Sequence, residues 1–300
     1  MTERRWFHPR GSLSRDGWET VVDGSLAGWQ HTGLRVAHLE AGDELPLEAG
    51  AEQLVVPLAG SFSVRVEDDG AVTTHGLAGR PSVFHGPTDV LYVTAGATAH
   101  LAGRGRVAVA SSPTEARFPT RHIPAAETPV ELRGAGASSR QVHNFGTPHA
   151  LDAARFIVCE VITPSENWSS YPPHKHDERV PGAETRLEEI YYFEAAPTRA
   201  GGGPGRAEAA FGMFSTYSSP AGEIDINAMV RTGDVAIVPY GYHGPAVAAP
   251  GYDLYYLNVM AGPDPERAWL ISDDPAHAWV RDTWRDARVD ERLPYGNENP

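Results

Sequence analysis

The stretch Tyr171-Pro172-Pro173-His174-Lys175-His176-Asp177-Glu178, with Glu188-Glu189-Ile190-Tyr191-Tyr192-Phe193 after it, decides how this chain is read. Nowhere else do imidazoles lie so close together beside carboxylates. Side chains alternate along an extended strand, so His174 and His176 share a face. A carboxylate follows a polar loop, at the head of a Tyr/Phe-rich run that reads as a strand. Another imidazole, His243, closes the run Gly233-Asp234-Val235-Ala236-Ile237-Val238-Pro239-Tyr240-Gly241-Tyr242-His243. Three imidazoles and a carboxylate suit a borderline divalent ion such as Zn, Fe, Mn or Ni, with positions left open for a substrate.

The spacing resembles the two motifs of the cupin superfamily: His-x-His, a gap and a strand-borne Glu, then Gly-Asp, four residues, Pro-x-Gly and His. The resemblance implies His174, His176, Glu189 and His243 as ligands of one divalent ion per chain. Glu189 is preferred to Glu188 because it lies in phase with Tyr191 and Phe193. The gap from His176 to Glu189 is longer than usual for cupins, and one residue is missing between Gly241 and His243. A closer likeness is to the 5-deoxy-glucuronate isomerase family of inositol catabolism, related to the 5-keto-4-deoxyuronate isomerases. It rests on Asn167 to Asp177, Leu187 to Phe193, Pro239-Tyr240-Gly241-Tyr242-His243-Gly244-Pro245 and Tyr255 to Gly262. These blocks cover most of the second half; the first half matches more loosely.

Composition agrees with a folded β protein. Gly and Pro are frequent and long amphipathic patterns scarce, which favours strands joined by turns. The net charge of −14 argues against a nucleic-acid partner, which needs a basic face, but does not exclude an anionic small molecule. One cysteine, Cys159, allows no intramolecular disulfide; in an apolar run it reads as a small buried hydrophobe. Neither a signal peptide nor a membrane-length apolar stretch is seen, so the expectation is cytoplasmic, without a membrane partner. A homo-oligomer is left open.

Along the chain, strands are expected at residues 34–39, 52–58, 61–66, 82–84, 89–93 and 106–110, with a turn at Ala59-Gly60 and a hairpin at Asp68-Asp69-Gly70. The fold class expected is all-β, a bicupin of two double-stranded β-helix (jelly-roll) barrels. Residues 1–130 form a barrel without a metal site, since His38, His85 and His100 are scattered; residues 131–300 form the metal-binding barrel and a tail. Residues 115–151 read as a connector in which either Arg140 or His143 could face the second site, with a structural or solvated role preferred for both. The Gly-rich run from Thr198 to Gly205 reads as a hairpin tip, because it lacks phosphate-loop order. A short helix is expected near Ala276–Val280, with His277 structural.

The family likeness implies an aldose–ketose isomerase that turns 5-deoxy-glucuronate, a sugar acid, into 5-dehydro-2-deoxy-gluconate through a metal-stabilised enediolate. Candidate catalytic groups are Glu178 and Arg186 in the loop between ligands, the hydroxyls of Tyr191 and Tyr255, and Lys175. Arg186, Arg179 and Lys175 are the local options for the substrate carboxylate. The alternatives are a metal-dependent dioxygenase and a non-enzymatic sugar-acid-binding protein.

Overall fold

The computed structural model describes residues 5–198 and 206–296. Most of the expected tip at 198–205 therefore lies outside the described residues. The chain forms two antiparallel β barrels.

The first barrel is one eight-stranded sheet spanning Thr20 to Ile123. Its spine is the pair Ala51–Asp68 and Thr98–Pro113, in register from Ala51 opposite Pro113 to Glu67 opposite Thr98. The turn expected at Ala59-Gly60 is instead a bulge inside a continuous strand, where the register shifts between Pro57 and Ala59. Glycine is required there: Gly60 has φ +99°, and a Cβ on it would lie 2.0 Å from the Arg104 carbonyl oxygen. Asp69 and Gly70, both at positive φ, make the two-residue hairpin that joins Asp68 to Ala71. The strand expected at 82–84 is a short 3₁₀ turn over Val83–His85, whose first turn is capped by the Ser82 hydroxyl.

The second barrel closes a seven-stranded sheet on a six-stranded one. Val130–Arg133 and Arg140–Gly146, read in sequence as connector, are the last two strands at one side of the seven-stranded sheet, with Val130–Arg133 at its edge. At the other edge lies Phe7–His8, which pairs with Val235–Val238. The aromatic rings of Tyr191, Phe193, Phe214 and Tyr256 pack between the sheets, with Phe193 and Phe214 5.4 Å apart. Near the C-terminus, helix is confined to Val280–Thr283, just beyond the expected position.

The barrels meet face to face. Along Ala51–Leu58 both faces are buried: Val55 packs inside the first barrel, whereas Leu54 and Val56 join the core shared with Phe156 and Ile157. Buried carboxylates pin this interface from both sides. Glu52 accepts from the backbone N–H groups of Ala154, Arg155 and Phe156 at 2.6–3.0 Å. From the other side, Glu188 accepts from those of Gln30, His31 and Thr32. Arg80 forks onto Glu160 at 2.6 and 2.7 Å, and Glu160 also contacts His143 Nδ1 and the Tyr255 hydroxyl.

Candidate metal centre

His174 begins a short strand paired with Tyr242–Ala248, directly opposite His243. Glu189 lies one residue inside the strand Glu188–Pro197, on the face shared with Tyr191. Its neighbour Glu188 points to the opposite face and into the barrel interface. His176, Glu189 and His243 bring ligand atoms within 4.8 Å of one another, all buried. Both His176 Nε2 and His243 Nε2 lie about 3 Å from the same Glu189 Oε2, at 3.0 and 3.1 Å. His174 stands beside them, its ring centroid 4.6 Å from that of His243 and 6.3 Å from that of His176.

The tautomers follow from the backbone. Each of the three rings sets Nδ1 against a carbonyl oxygen: Pro172 for His174 at 3.1 Å, Leu187 for His176 at 3.0 Å, Gly241 for His243 at 3.2 Å. A carbonyl only accepts, so Nδ1 carries the proton and a neutral ring presents a bare Nε2 lone pair. Two such lone pairs facing one carboxylate oxygen repel unless a cation lies between them. Protons on both rings would add charge to a buried site. Burial and the adjacent His243 and His176 rings hold His174 well below the ordinary imidazole range. Burial works against charge on Glu189, but positive charge at the His176 and His243 nitrogens, from Nε2 protons in the absence of an ion, outweighs it and holds the carboxyl at about 2; a cation between the three groups takes the place of those protons. Three δ-protonated imidazoles with one anionic carboxylate fit a divalent ion of the borderline class.

The long His176–Glu189 loop is held by its own charges. Lys175 Nζ sits among Asp177, Glu178 and Glu184 at 2.7–2.9 Å, so an ammonium already fills this second acidic group. Glu184 also accepts from the backbone of Asp177 and Glu178. Asp177 accepts in turn from Gly241 N at 2.8 Å, which ties the His-x-His segment to the turn that presents His243. Gly241 sits at φ +95°, where a Cβ would strike Ile224 at 2.4 Å.

A cavity of about 200 Å³ opens beside the cluster. His174, Glu189 and Tyr191 line it, as do Tyr256, Asn258 and Arg140. The Tyr191 and Tyr256 hydroxyls both meet Ser170 Oγ at 3.1 Å, and burial raises both phenols, which keeps them protonated.

Of the expected catalytic groups, Tyr191 faces this cavity and four do not. Lys175 is spent on the loop carboxylates, and Glu178 is half exposed against it. Arg186 is exposed beside Asp264. Tyr255 points into the barrel interface, because alternation places Tyr256, its neighbour, inside. None of these four lines the cavity. Arg140, for which the sequence prefers a structural role over a site-facing one, lines the cavity; the Gly/Ser-rich run before it masks the start of its strand. In the first barrel, His38 and His100 meet Glu40 and Glu44, and His85 meets Ser82.

The description of the KduI/IolB family matches residues 6–280. The 5-deoxy-glucuronate isomerase of Geobacillus kaustophilus is 36% identical over 292 residues, covering 96% of this chain and 99% of the relative. That of Bacillus subtilis strain 168 is 36% identical over 251 residues, 82% of this chain and 86% of the relative. Among solved structures, an IolB-like protein from Salmonella typhimurium superposes with a TM-score of 0.80 at 33% identity, over 92% of this chain and 98% of that one. The oxalate decarboxylase of Lactobacillus farciminis, 10% identical, shares the two-barrel fold at a TM-score of 0.60, over 89% of this chain and 88% of that one. No helix among the described residues is long and apolar enough to cross a membrane.

Proposed function

The chain belongs to the KduI/IolB family, and from that membership we propose that it is an aldose–ketose isomerase of inositol catabolism, converting 5-deoxy-glucuronate to 5-dehydro-2-deoxy-gluconate. The observation that carries the reading to a site is the convergence of His176 and His243 Nε2 on Glu189, beside the cavity. His174, His176, Glu189 and His243 are the proposed ligands of one divalent ion, Zn, Mn, Fe or Ni. Such an ion, when bound, polarises a carbonyl oxygen and so acidifies the carbon beside it.

The reaction moves a proton from C2 to C1 and exchanges the oxidation levels of the two carbons; no redox partner is consumed. The chain's own groups supply the rest. The Tyr191 phenol, kept neutral by burial, donates to a substrate oxygen whose charge grows as the C2 proton leaves. Ser170 bridges it to the Tyr256 phenol and fixes both hydroxyls. The Nδ1–H···O=C bonds lock the three imidazoles in one tautomer, so none rotates as charge moves. Enclosure by the aromatic walls lowers the local dielectric and strengthens these contacts. Residues 1–130 are proposed as a packing partner without chemistry of its own, and a cytoplasmic location goes with the pathway.

The test is to incubate metal-replete protein with 5-deoxy-glucuronate in D₂O under an oxygen electrode. The expected result is a ketose by NMR, deuterium at its new hydroxymethyl carbon, and no oxygen uptake. Stoichiometric oxygen uptake would assign a dioxygenase instead, and binding without turnover a sugar-acid-binding protein.

A further inference from the structure

Three arginines line the cavity beside the proposed ligands: Arg133, Arg140 and Arg281. Two are already neutralised. Arg133 forks onto Glu131, with Nε to Oε1 at 3.0 Å and Nη2 to Oε2 at 2.8 Å. Arg281 forks in the same way onto Asp273. Arg140 differs. It is buried, yet no carboxylate among the described residues lies within ion-pair distance of it. Its contacts among the described residues are one hydrogen bond from Nη1 to the Ser138 carbonyl at 2.9 Å and the face of Trp284, 5.3 Å from its guanidinium carbon. The guanidinium lines the cavity with most of its donors free of protein acceptors, so an anion in the cavity can take them up. Burial, reinforced by the like charges of Arg133 and Arg281, lowers Arg140 only to about 10, and the group stays charged at neutral pH.

Two more donors in the same wall are unmatched. Asn258 Nδ2 and Trp269 Nε1 are both buried without a hydrogen-bond partner among the described residues. Asn258 lies opposite Tyr191 in the neighbouring strand, so its side chain is on the ligand-bearing face. The cavity therefore offers a guanidinium fork, and two neutral N–H groups without acceptors lie buried in its wall. An occupant that satisfies them carries one carboxylate and several hydroxyl or carbonyl oxygens.

We propose that Arg140 binds the carboxylate of the sugar-acid substrate, while Asn258 Nδ2 and Trp269 Nε1 donate to its hydroxyl oxygens. The reacting aldehyde end then lies toward His174 and Glu189, and Arg140 is the residue that admits uronic acids and rejects neutral aldoses. For the identity of the acid this inference rests on the isomerase reading; for the anion site it does not. Arg140, Asn258 and Trp269 replace Arg186, Arg179 and Lys175, which the fold places outside the cavity.

The test uses the metal-loaded full chain. Calorimetry measures D-glucuronate against D-glucose, which has a hydroxymethyl group in place of the carboxylate, and kinetics uses 5-deoxy-glucuronate. Arg140→Met should weaken D-glucuronate binding and raise KM about a hundredfold, as expected for losing a two-bond charged fork, and leave kcat and the weak binding of D-glucose nearly unchanged. Arg140→Lys keeps the charge without the fork, so it should fold and show a loss of about tenfold. A purely structural Arg140 would change stability and not the preference for acid over neutral sugar. D-glucuronate binding and KM within about threefold of the parent in Arg140→Lys and in folded Arg140→Met would overturn the proposal. If the parent does not turn over 5-deoxy-glucuronate yet binds D-glucuronate through Arg140, the isomerase reading falls and the anion site stands. Turnover of 5-deoxy-glucuronate by Arg140→Met with an unchanged KM has the reverse meaning.

Discussion

Replacing Arg80 by Met should cost about 3–5 kcal/mol of stability at pH 7, the range for breaking a buried ion pair from one side. Arg80 and Glu160 are 1% and 0% exposed, so water cannot take over from the lost partner. The substitution removes the fork onto Glu160 and the bonds from Arg80 to the Pro57 and Gly86 carbonyls. It strands a carboxylate that keeps only His143 and Tyr255. A second route gives a similar size. Burial opposes the charge on Glu160, but Arg80 and then His143 outweigh it and hold the carboxyl at about 2 against an ordinary 4.5. At about 1.4 kcal/mol per pH unit that gap is worth about 3 kcal/mol. Because the folded value lies below the unfolded one, the contribution is complete above about pH 5. It is lost as pH falls from 4.5 toward 2. The Arg80→Met deficit should therefore be largest at neutral pH and shrink near pH 3, where Glu160 takes a proton and is no longer a stranded charge. Urea unfolding followed by tryptophan fluorescence and circular dichroism measures both, with Arg80→Met/Glu160→Gln as the coupled control that should cost less than the sum of its parts. A deficit below about 1 kcal/mol, or one equal at pH 7 and pH 3, would refute the reasoning.

Glu189→Gln and His243→Ala should each lose the ion on dialysis while circular dichroism stays that of the parent, because both barrels have apolar cores of their own. Glu188→Gln should keep the ion and lose about 1–3 kcal/mol of stability, since it removes the charge that accepts the backbone N–H groups of Gln30, His31 and Thr32; a metal-free Glu188→Gln protein would mean the strand is out of register by one. Tyr191→Phe should keep metal and KM and lower kcat about 10- to 100-fold, with turnover unchanged if the phenol does not touch the reacting oxygens. Elemental analysis should give one divalent ion per chain; a second ion that survives His174→Ala would place another site among His38, His85 and His100.

The metal cluster was legible because its parts lie in two short segments and strand alternation has a period of two. That period separates Glu188 from Glu189 without coordinates. The same rule failed at Tyr255 and Tyr256, where both residues are aromatic and nothing in the run marks which one faces in. The Ala59-Gly60 bulge was misread as a turn, since a bulge and a turn use the same glycine and differ only in how the flanking residues pair across the sheet. Arg140 could not be given a site role, nor Asn258 and Trp269 be found, from sequence because they meet only in space: Arg140 lies more than a hundred residues before the other two, and a lone arginine after a Gly/Ser run has no local pattern. The exclusion of Lys175 and Arg186 came from their partners Glu184 and Asp264, which sequence separation alone does not pair.

The pairing of Phe7–His8 with Ala236 and Val235 sets an order on biosynthesis. The strand that finishes one edge of the second barrel leaves the ribosome first and its mate emerges about 230 residues later, on the order of ten to fifty seconds at ordinary elongation rates. The first barrel, complete by Ile123, can close in that interval. The leading strand must stay outside it, and the sheet edge at Val235–Val238 stays open until the early segment docks. A bulky fusion at the start of the chain thus acts on the last sheet to be completed, and a nascent chain stalled before residue 235 leaves Phe7–His8 and Glu188–Pro197 without the strand that both pair with, each able to recruit another molecule.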